Sequence, residues 1–164
     1  MRLVLPANGP IGWTLDQCKT KYGNAEHIPR TSDFTAGENY RFHVAGFWIT
    51  VNIIDGMVTA VMYEPENPIT RDQAKQILTK NASTTWKNDE LFDYDEDMNI
   101  IKTKDSRSHN LSAALHLISR NHTIWRLMIH DDTILDPIRN RIEAAKQEKK
   151  DKEVKEVQRK VDNL

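Results

Sequence analysis

The chain is predicted to be an α+β protein. An antiparallel sheet of about six strands, built from two helix-plus-three-strand units with the helices on one face, precedes a long polar C-terminal helix. Three observations predict it. Phe47 to Tyr63 alternates in character about Asp55-Gly56, the dipeptide that most strongly signals a two-residue hairpin turn. The cap Thr14-Leu15-Asp16-Gln17 recurs as Thr70-Arg71-Asp72-Gln73, so a helix start precedes each group of strands. From Asp136-Pro137 onward the sequence reads as a long, charge-rich helix.

Composition bounds the class. With 164 residues, 38% hydrophobic and 29% charged, the chain has enough apolar material for one good domain and a polar appendage. No apolar run approaches the length of a membrane span, and the first ten residues are too short and too interrupted by proline for a signal peptide. Both an extracytoplasmic chain with its signal removed and a cytoplasmic one fit these residues. The net charge of −1 divides unevenly: residues 138–164 carry nine Lys/Arg against six Asp/Glu, or +3, which leaves −4 for the rest. Neither value suits a nucleic-acid binder. A single cysteine, Cys18, excludes an internal disulfide and a cysteine-based metal site.

Taken in order, Thr14 is the N-cap of a short helix over 14–22. Trp13 and Cys18 stand at its staple positions and Gly23 closes it. A polar loop containing Pro29 leads to a strand over 38–45, and Gly46 turns it into the hairpin. Pairing across Asp55-Gly56 without interruption sets Phe47, Ile49, Val51, Ile53, Val58, Ala60 and Met62 on a core face. Trp48, Thr50, Asn52, Ile54, Met57, Thr59, Val61 and Tyr63 then share the other face, with Trp48 opposite Tyr63. After Pro65 and Pro68 the second cap opens a helix to about Lys80, again with staple residues Ile69 and Ala74. Strands are predicted over 98–104, 111–119 and 123–130. A three-residue turn at Arg120-Asn121-His122 sets Leu117 opposite Trp125, Leu115 opposite Leu127 and Ala113 opposite Ile129. The expected organisation is a domain over 1–136, with pseudo-repeat units 12–65 and 69–131, and a charged helix over 137–164. Within that helix, Val154, Val157, Val161 and Leu164 have a 3-4-3 spacing too short for a stable coiled coil. It is the candidate element for oligomerisation.

The opening Gly12-Trp13-Thr14-Leu15 with Cys18 and Tyr22-Gly23, then Tyr40-x-Phe42, Gly46, Ile49-x-Val51 and Asp55-Gly56, resembles small secreted bacterial proteins of uncharacterised role. Over about residues 12–130, a helix-plus-meander unit used twice also resembles the β-lactamase inhibitor protein architecture, which the SmpA/OmlA-type outer-membrane assembly lipoproteins share as single units. The chain lacks the inhibitor's paired cysteines and the lipoproteins' lipobox cysteine, and each unit has one evident helix where the inhibitor has two. The resemblance therefore implies no functional residue. It implies only a sheet whose exposed face grips another protein.

The candidate binding residues lie on the face opposite the core: Trp48, Val61 and Tyr63 from the first unit, His116, Arg126 and His130 from the second, and Arg41 and His43 from the strand before the hairpin. Trp, Tyr and Arg are the types that dominate interface hot spots. The predicted role is non-enzymatic, a protein-binding or inhibitor-like module. The competing class is a small hydrolase or metal-dependent enzyme using His43, His116 and His130, and the third is a structural protein that self-associates through residues 137–164. No cofactor motif is present, and no local His or Cys spacing marks a metal site. Asp93-x-Asp95-x-Asp97-x-Asn99 opens like a calcium loop but has Met98 where glycine is needed and Lys104 in place of the bidentate glutamate. It is expected to be an acidic solvated loop. Asn81, Asn110 and Asn121 head N-x-S/T sequons.

Overall fold

The computed structural model describes residues 9–31, 34, 36–81, 93–95, 100–104, 111–118 and 123–164. It forms two compact units, 1–132 and 133–164. In the first unit α1 (Leu15–Tyr22) precedes β1 (Glu26–Ile28), β2 (Glu38–Val44), β3 (Phe47–Ile54) and β4 (Met57–Pro65). Then α2 (Arg71–Asn81) precedes β5 (Asp93–Asp95), β6 (Ile100–Lys104), β7 (Leu111–Ile118) and β8 (Thr123–Asp131). One antiparallel sheet contains all these strands in the order β1-β2-β3-β4-β8-β7-β6-β5. The α+β class and the long terminal helix are as predicted. The sheet is larger than predicted by two three-residue edge strands, β1 and β5, too short to leave a periodic signature.

The local signals act as read. At α1, Gln17 N–H donates to Thr14 Oγ1 at 3.2 Å while Thr14 N–H donates to Gln17 Oε1 at 2.8 Å. At α2, Thr70 and Gln73 exchange the same two bonds at 2.9 and 3.2 Å. Each such cap stabilises its helix by about 1 kcal/mol. The residue before each cap is clamped to the sheet: Val58 N–H donates to Trp13 O at 2.8 Å, and Ile69 and Ile124 exchange both backbone bonds at 2.9 and 2.7 Å. Asp55-Gly56 has φ of 52° and 79°, and Ala45-Gly46 has 51° and 79°. Both are therefore turns of the kind that needs positive φ at each central residue and matches the twist of the flanking strands.

Cys18 of α1 and Ala74 and Leu78 of α2 enter the core on one face of the sheet, against Phe42, Ile49, Val51, Val58, Leu115, Leu127 and Ile129. Cys18 is fully buried, and burial pushes its thiol up to about 11, so it behaves as a small apolar side chain at neutral pH.

The strand pairing departs from the prediction at one place in each unit. Ile54 pairs with Met57 and Ile53 with Val58, but Asn52 then pairs with Ala60, leaving Thr59 as an extra residue in β4. This bulge reverses the faces beyond it. Val61 now pairs with Val51 and Tyr63 with Ile49 in the core, whereas Ala60 and Met62 move to the opposite face. Burying Val61 and Tyr63 in this way contributes on the order of 2 kcal/mol each. Thr59 is fully buried, and its hydroxyl donates to Asn52 Oδ1 at 3.0 Å.

The second unit repeats the device at the third residue of its own last strand. Leu117 pairs with Ile124 and His116 with Arg126, so Trp125 is the extra residue. The predicted Leu117–Trp125 pair is thereby replaced: Ile124 is fully buried and Trp125 is 38% exposed. Leu115–Leu127 and Ala113–Ile129 pair as predicted. The turn at 120–122 lies outside the described residues.

Residues 133–164 hold the helix α3 (Asp132–Asp162), which starts four residues earlier than predicted and has Pro137 inside it rather than at its first position. Its pairs Arg139–Asp136, Lys146–Glu143, Lys152–Glu148 and Lys160–Glu156 all lie on exposed side chains.

Candidate functional site

The sheet registers place Arg41, His43, Trp48, His116, Arg126 and His130 on the face away from α1 and α2, the face on which they were expected. Val61 and Tyr63 do not join them. Val61 is fully buried in the core. Tyr63, 8% exposed, directs its hydroxyl at Asn81 of α2, whose amide donates to it at 3.0 Å. The cause is the Thr59 bulge, and it also gives Trp48 a new neighbour, Glu64 in place of Tyr63.

The strand pairing, continued from β4 to β8 by the ion pair of Glu64 with Arg126, gives a row through five strands: His43, Trp48, Glu64, Arg126 and His116. Arg126 reaches Glu64 at 3.3 Å. A parallel row runs Arg41, Thr50, Met62, Met128 and Ala114. Thr50 at 2% and Met62 at 6% exposure lie beneath the larger side chains around them.

Two aromatic centres occupy the first row. The guanidinium of Arg41 lies 4.2 Å from the centroid of Trp48, whose other neighbour is the His43 ring at 4.3 Å. His43 Nε2 in turn bonds Glu66. Arg126 lies 4.7 Å from the centroid of Trp125, which the His116 ring meets edge-on at 5.5 Å. An arginine over an indole stiffens both groups. Trp125 was expected in the core, so this half of the site was missed. Its signal was weak: moving the bulky Trp outward lets Ile124 and Leu127 both turn inward, a trade visible only once the bulge is known.

The opposite end of the face is closed. Asn52 Nδ2 donates to Ala36 O at 2.7 Å and to Asn39 Oδ1 at 2.8 Å, while Asn39 Nδ2 donates to Pro29 O at 3.3 Å. The connection between β1 and β2 is thus tied over Asn39 and Asn52, which are buried at 0 and 1% exposure. His130 belongs to a separate group in which its Nε2 meets Asp132 at 3.0 Å and Ser112 Oγ donates to the same carboxylate.

The three histidines do not converge. His43 and His116 stand four strands apart in the row, about 19 Å at the ordinary strand spacing. His130 lies on β8, four residues along from Arg126. Among the described residues no group of three His, Cys, Asp or Glu side chains is placed to hold a metal ion. Asp93–Asp95 is a strand rather than the expected loop, and Asp97 and Asn99 lie outside the described residues. Asn81 is 3% exposed and bonded through its amide to Tyr63 and to Ile77 O, so its sequon is closed in the folded chain. The sequons at 110 and 121 lie outside the described residues.

No family model matches the chain, and no curated protein matches it. The solved structures that share its fold include these two. One is a cysteine-rich secretory protein from Staphylococcus aureus subsp. aureus Mu50, with a TM-score of 0.50 and 14% identity, covering 79% of this chain and 49% of that one. The other is an extracellular protein containing a SCP domain from Bacillus anthracis str. Ames, with a TM-score of 0.51 and 14% identity, covering 82% of this chain and 50% of that one. The chain therefore spans about half the length of these neighbours. They replace the expected likeness to the β-lactamase inhibitor and SmpA/OmlA architectures. A cap, a Gly-ended helix and a hairpin meander are local devices that many α+β sheets share, and they do not distinguish one assembly of such units from another.

Proposed function

We propose that this chain is a non-catalytic binding domain that engages a protein partner through the row His43, Trp48, Glu64, Arg126, His116 and the adjoining Trp125. The observation that carries the reading is the pair of arginine-stacked tryptophans on the open end of one sheet face. Trp and Arg held rigid by their neighbours lose little side-chain entropy on binding, which is why such groups carry most of the affinity at interfaces. The row and the groups beside it are balanced in charge, with Arg41 and Arg126 against Glu64 and Glu66. It suits a mixed protein surface better than a polyanion. Both neighbours are named as secretory or extracellular proteins, which favours a partner outside the cytoplasm. The matching caps, clamps and bulges of units 12–65 and 69–131 support an internal duplication. Among the described residues no helix is long and apolar enough to cross a membrane.

The test is capture from culture medium and lysate with the wild-type chain and a folded Trp48→Ala/Trp125→Ala variant. Hydrogen exchange of the captured complex would follow. The expected result is a protein held by the wild type, lost by the variant, and protecting β3 and β8. Retention by the variant, or capture of nothing, overturns the reading.

A second reading, self-association through α3, rests on Val154, Val157 and Val161, which are 68, 60 and 54% exposed on one helix. Light scattering of the full chain is expected to give a dimer that becomes a monomer on removal of residues 150–164. A monomeric full chain removes this reading.

A further inference from the structure

We propose that the cavity on the helix side of the first unit binds a small apolar carboxylate. The cavity has a volume of about 460 Å³, within the range of small-ligand sites. Its apolar walls come from Trp13 and Tyr22, whose rings stack with centroids 6.1 Å apart, and from Phe47 and Ile77. At its buried end lie Tyr63 and Asn81, already satisfied by each other. Lys21 and Lys80, both exposed, complete the lining, and among the described residues no Asp or Glu belongs to it.

The charge of the lining selects the sign of the ligand. Lys21 and Lys80 are each next to last in their helix, where the backbone carries about half a negative charge. Two full positive charges exceed the two half-charges. The helix ends are further quieted by Gly23 N–H on Lys19 O at 2.9 Å and Gly9 N–H on Lys80 O at 2.7 Å. Among the described residues neither lysine has an acidic partner within ion-pair distance. The phenols add no competing anion: burial pushes Tyr63 up to about 12 and raises Tyr22 as well. A ligand that places an apolar body among Trp13, Tyr22, Phe47 and Ile77 and a single carboxylate between the lysines satisfies both ends of the cavity. The site lies on the opposite side of the sheet from the row proposed to bind protein, and its occupancy does not depend on that reading.

The test is calorimetric titration of the full chain with sodium decanoate and with 2-naphthoate, using decanol as the uncharged control. Saturable binding of one acid molecule per chain is expected, and whichever acid binds more tightly tells whether the apolar body is a flexible chain or a ring. Lys21→Gln/Lys80→Gln, which alters only exposed side chains, is expected to weaken the acid about tenfold, the value of two solvent-screened ion pairs, and to leave decanol unchanged. Ile77→Trp is expected to fill the cavity and abolish binding of all three. Absence of saturable binding of either acid overturns the proposal. So does decanol binding as tightly as decanoate, or acid binding that the lysine substitutions do not change.

Discussion

Val61→Asp is expected to abolish cooperative folding. Val61 is fully buried in the core and pairs with Val51. An aspartate there loses about 2 kcal/mol of apolar burial and adds an unpaired charge, or the cost of protonating it, worth several kcal/mol more. A domain of this size has a total stability on the order of 10 kcal/mol, so the two losses consume most of it. Thermal melting by circular dichroism is the measurement, with Val157→Asp on the 60%-exposed face of α3 as the control. The control is expected to change stability by less than about 0.5 kcal/mol. The experiment discriminates between two registers of the same hairpin. If β4 ran without its bulge, Val61 would take the place of Met62 opposite Thr50, away from the apolar core, and the charge would cost less. A variant that melts within a few degrees of the wild type would therefore contradict the Thr59 bulge and the row of site residues derived from it.

Asn52→Ala is the second large effect, with an expected cost of about 3 kcal/mol in a urea melt, from the unmet needs of buried polar partners at about 1 kcal/mol or more each. Its amide serves Ala36 O at 2.7 Å and Asn39 Oδ1 at 2.8 Å, and its Oδ1 accepts from Thr59 at 3.0 Å. Removing it orphans Ala36 O and Asn39 Oδ1, leaves the Thr59 hydroxyl only its long 3.4 Å bond to the backbone oxygen of residue 52, and frees the connection between β1 and β2 from the sheet. Asn52→Asp separates this polar account from simple loss of packing. The shape is kept, but a carboxylate oxygen then confronts the Ala36 and Asn39 acceptors, so the new carboxyl titrates above its unfolded value. A raised folded pKa means that the folded state binds the proton more tightly. The variant is thus least stable, relative to the wild type, above its folded pKa, and it regains stability as the pH falls through that value toward the unfolded one. A penalty that does not change between neutral pH and pH 4 would sink this reading of the network.

How much of the site was legible follows from these same residues. Arg41, His43, Trp48, His116, Arg126 and His130 are assigned to their face correctly because each is separated from the nearest reliable turn by an even count, or lies on the side of the bulge that keeps the predicted parity. Val61 and Tyr63 are misassigned because they lie beyond Thr59, and Trp125 because it is itself the inserted residue. The three histidines share a face, as alternation demands, yet strand order spreads them across it. Alternation fixes a face and carries no information on distance along the row.

What the sequence determined by itself are the features set within a few residues: the two capping boxes, the positive-φ turn at Asp55-Gly56, the staple positions of Trp13 and Ile69, and the α+β class. Their chemistry is local, so the same atoms meet whatever the rest of the chain does. Tertiary structure alone decided the two bulges, the edge strands β1 and β5, the strand order that brings β4 against β8, and the early start of α3 at Asp132. Each depends on groups far apart in the chain: Tyr63 turns inward to meet Asn81, Ile124 displaces Trp125 to pair with Ile69, and Asp132 is held by Ser112 and His130. Burial and hydrogen bonding between distant segments outweigh the alternation of a single strand, and that balance settles which residues share each face of the sheet.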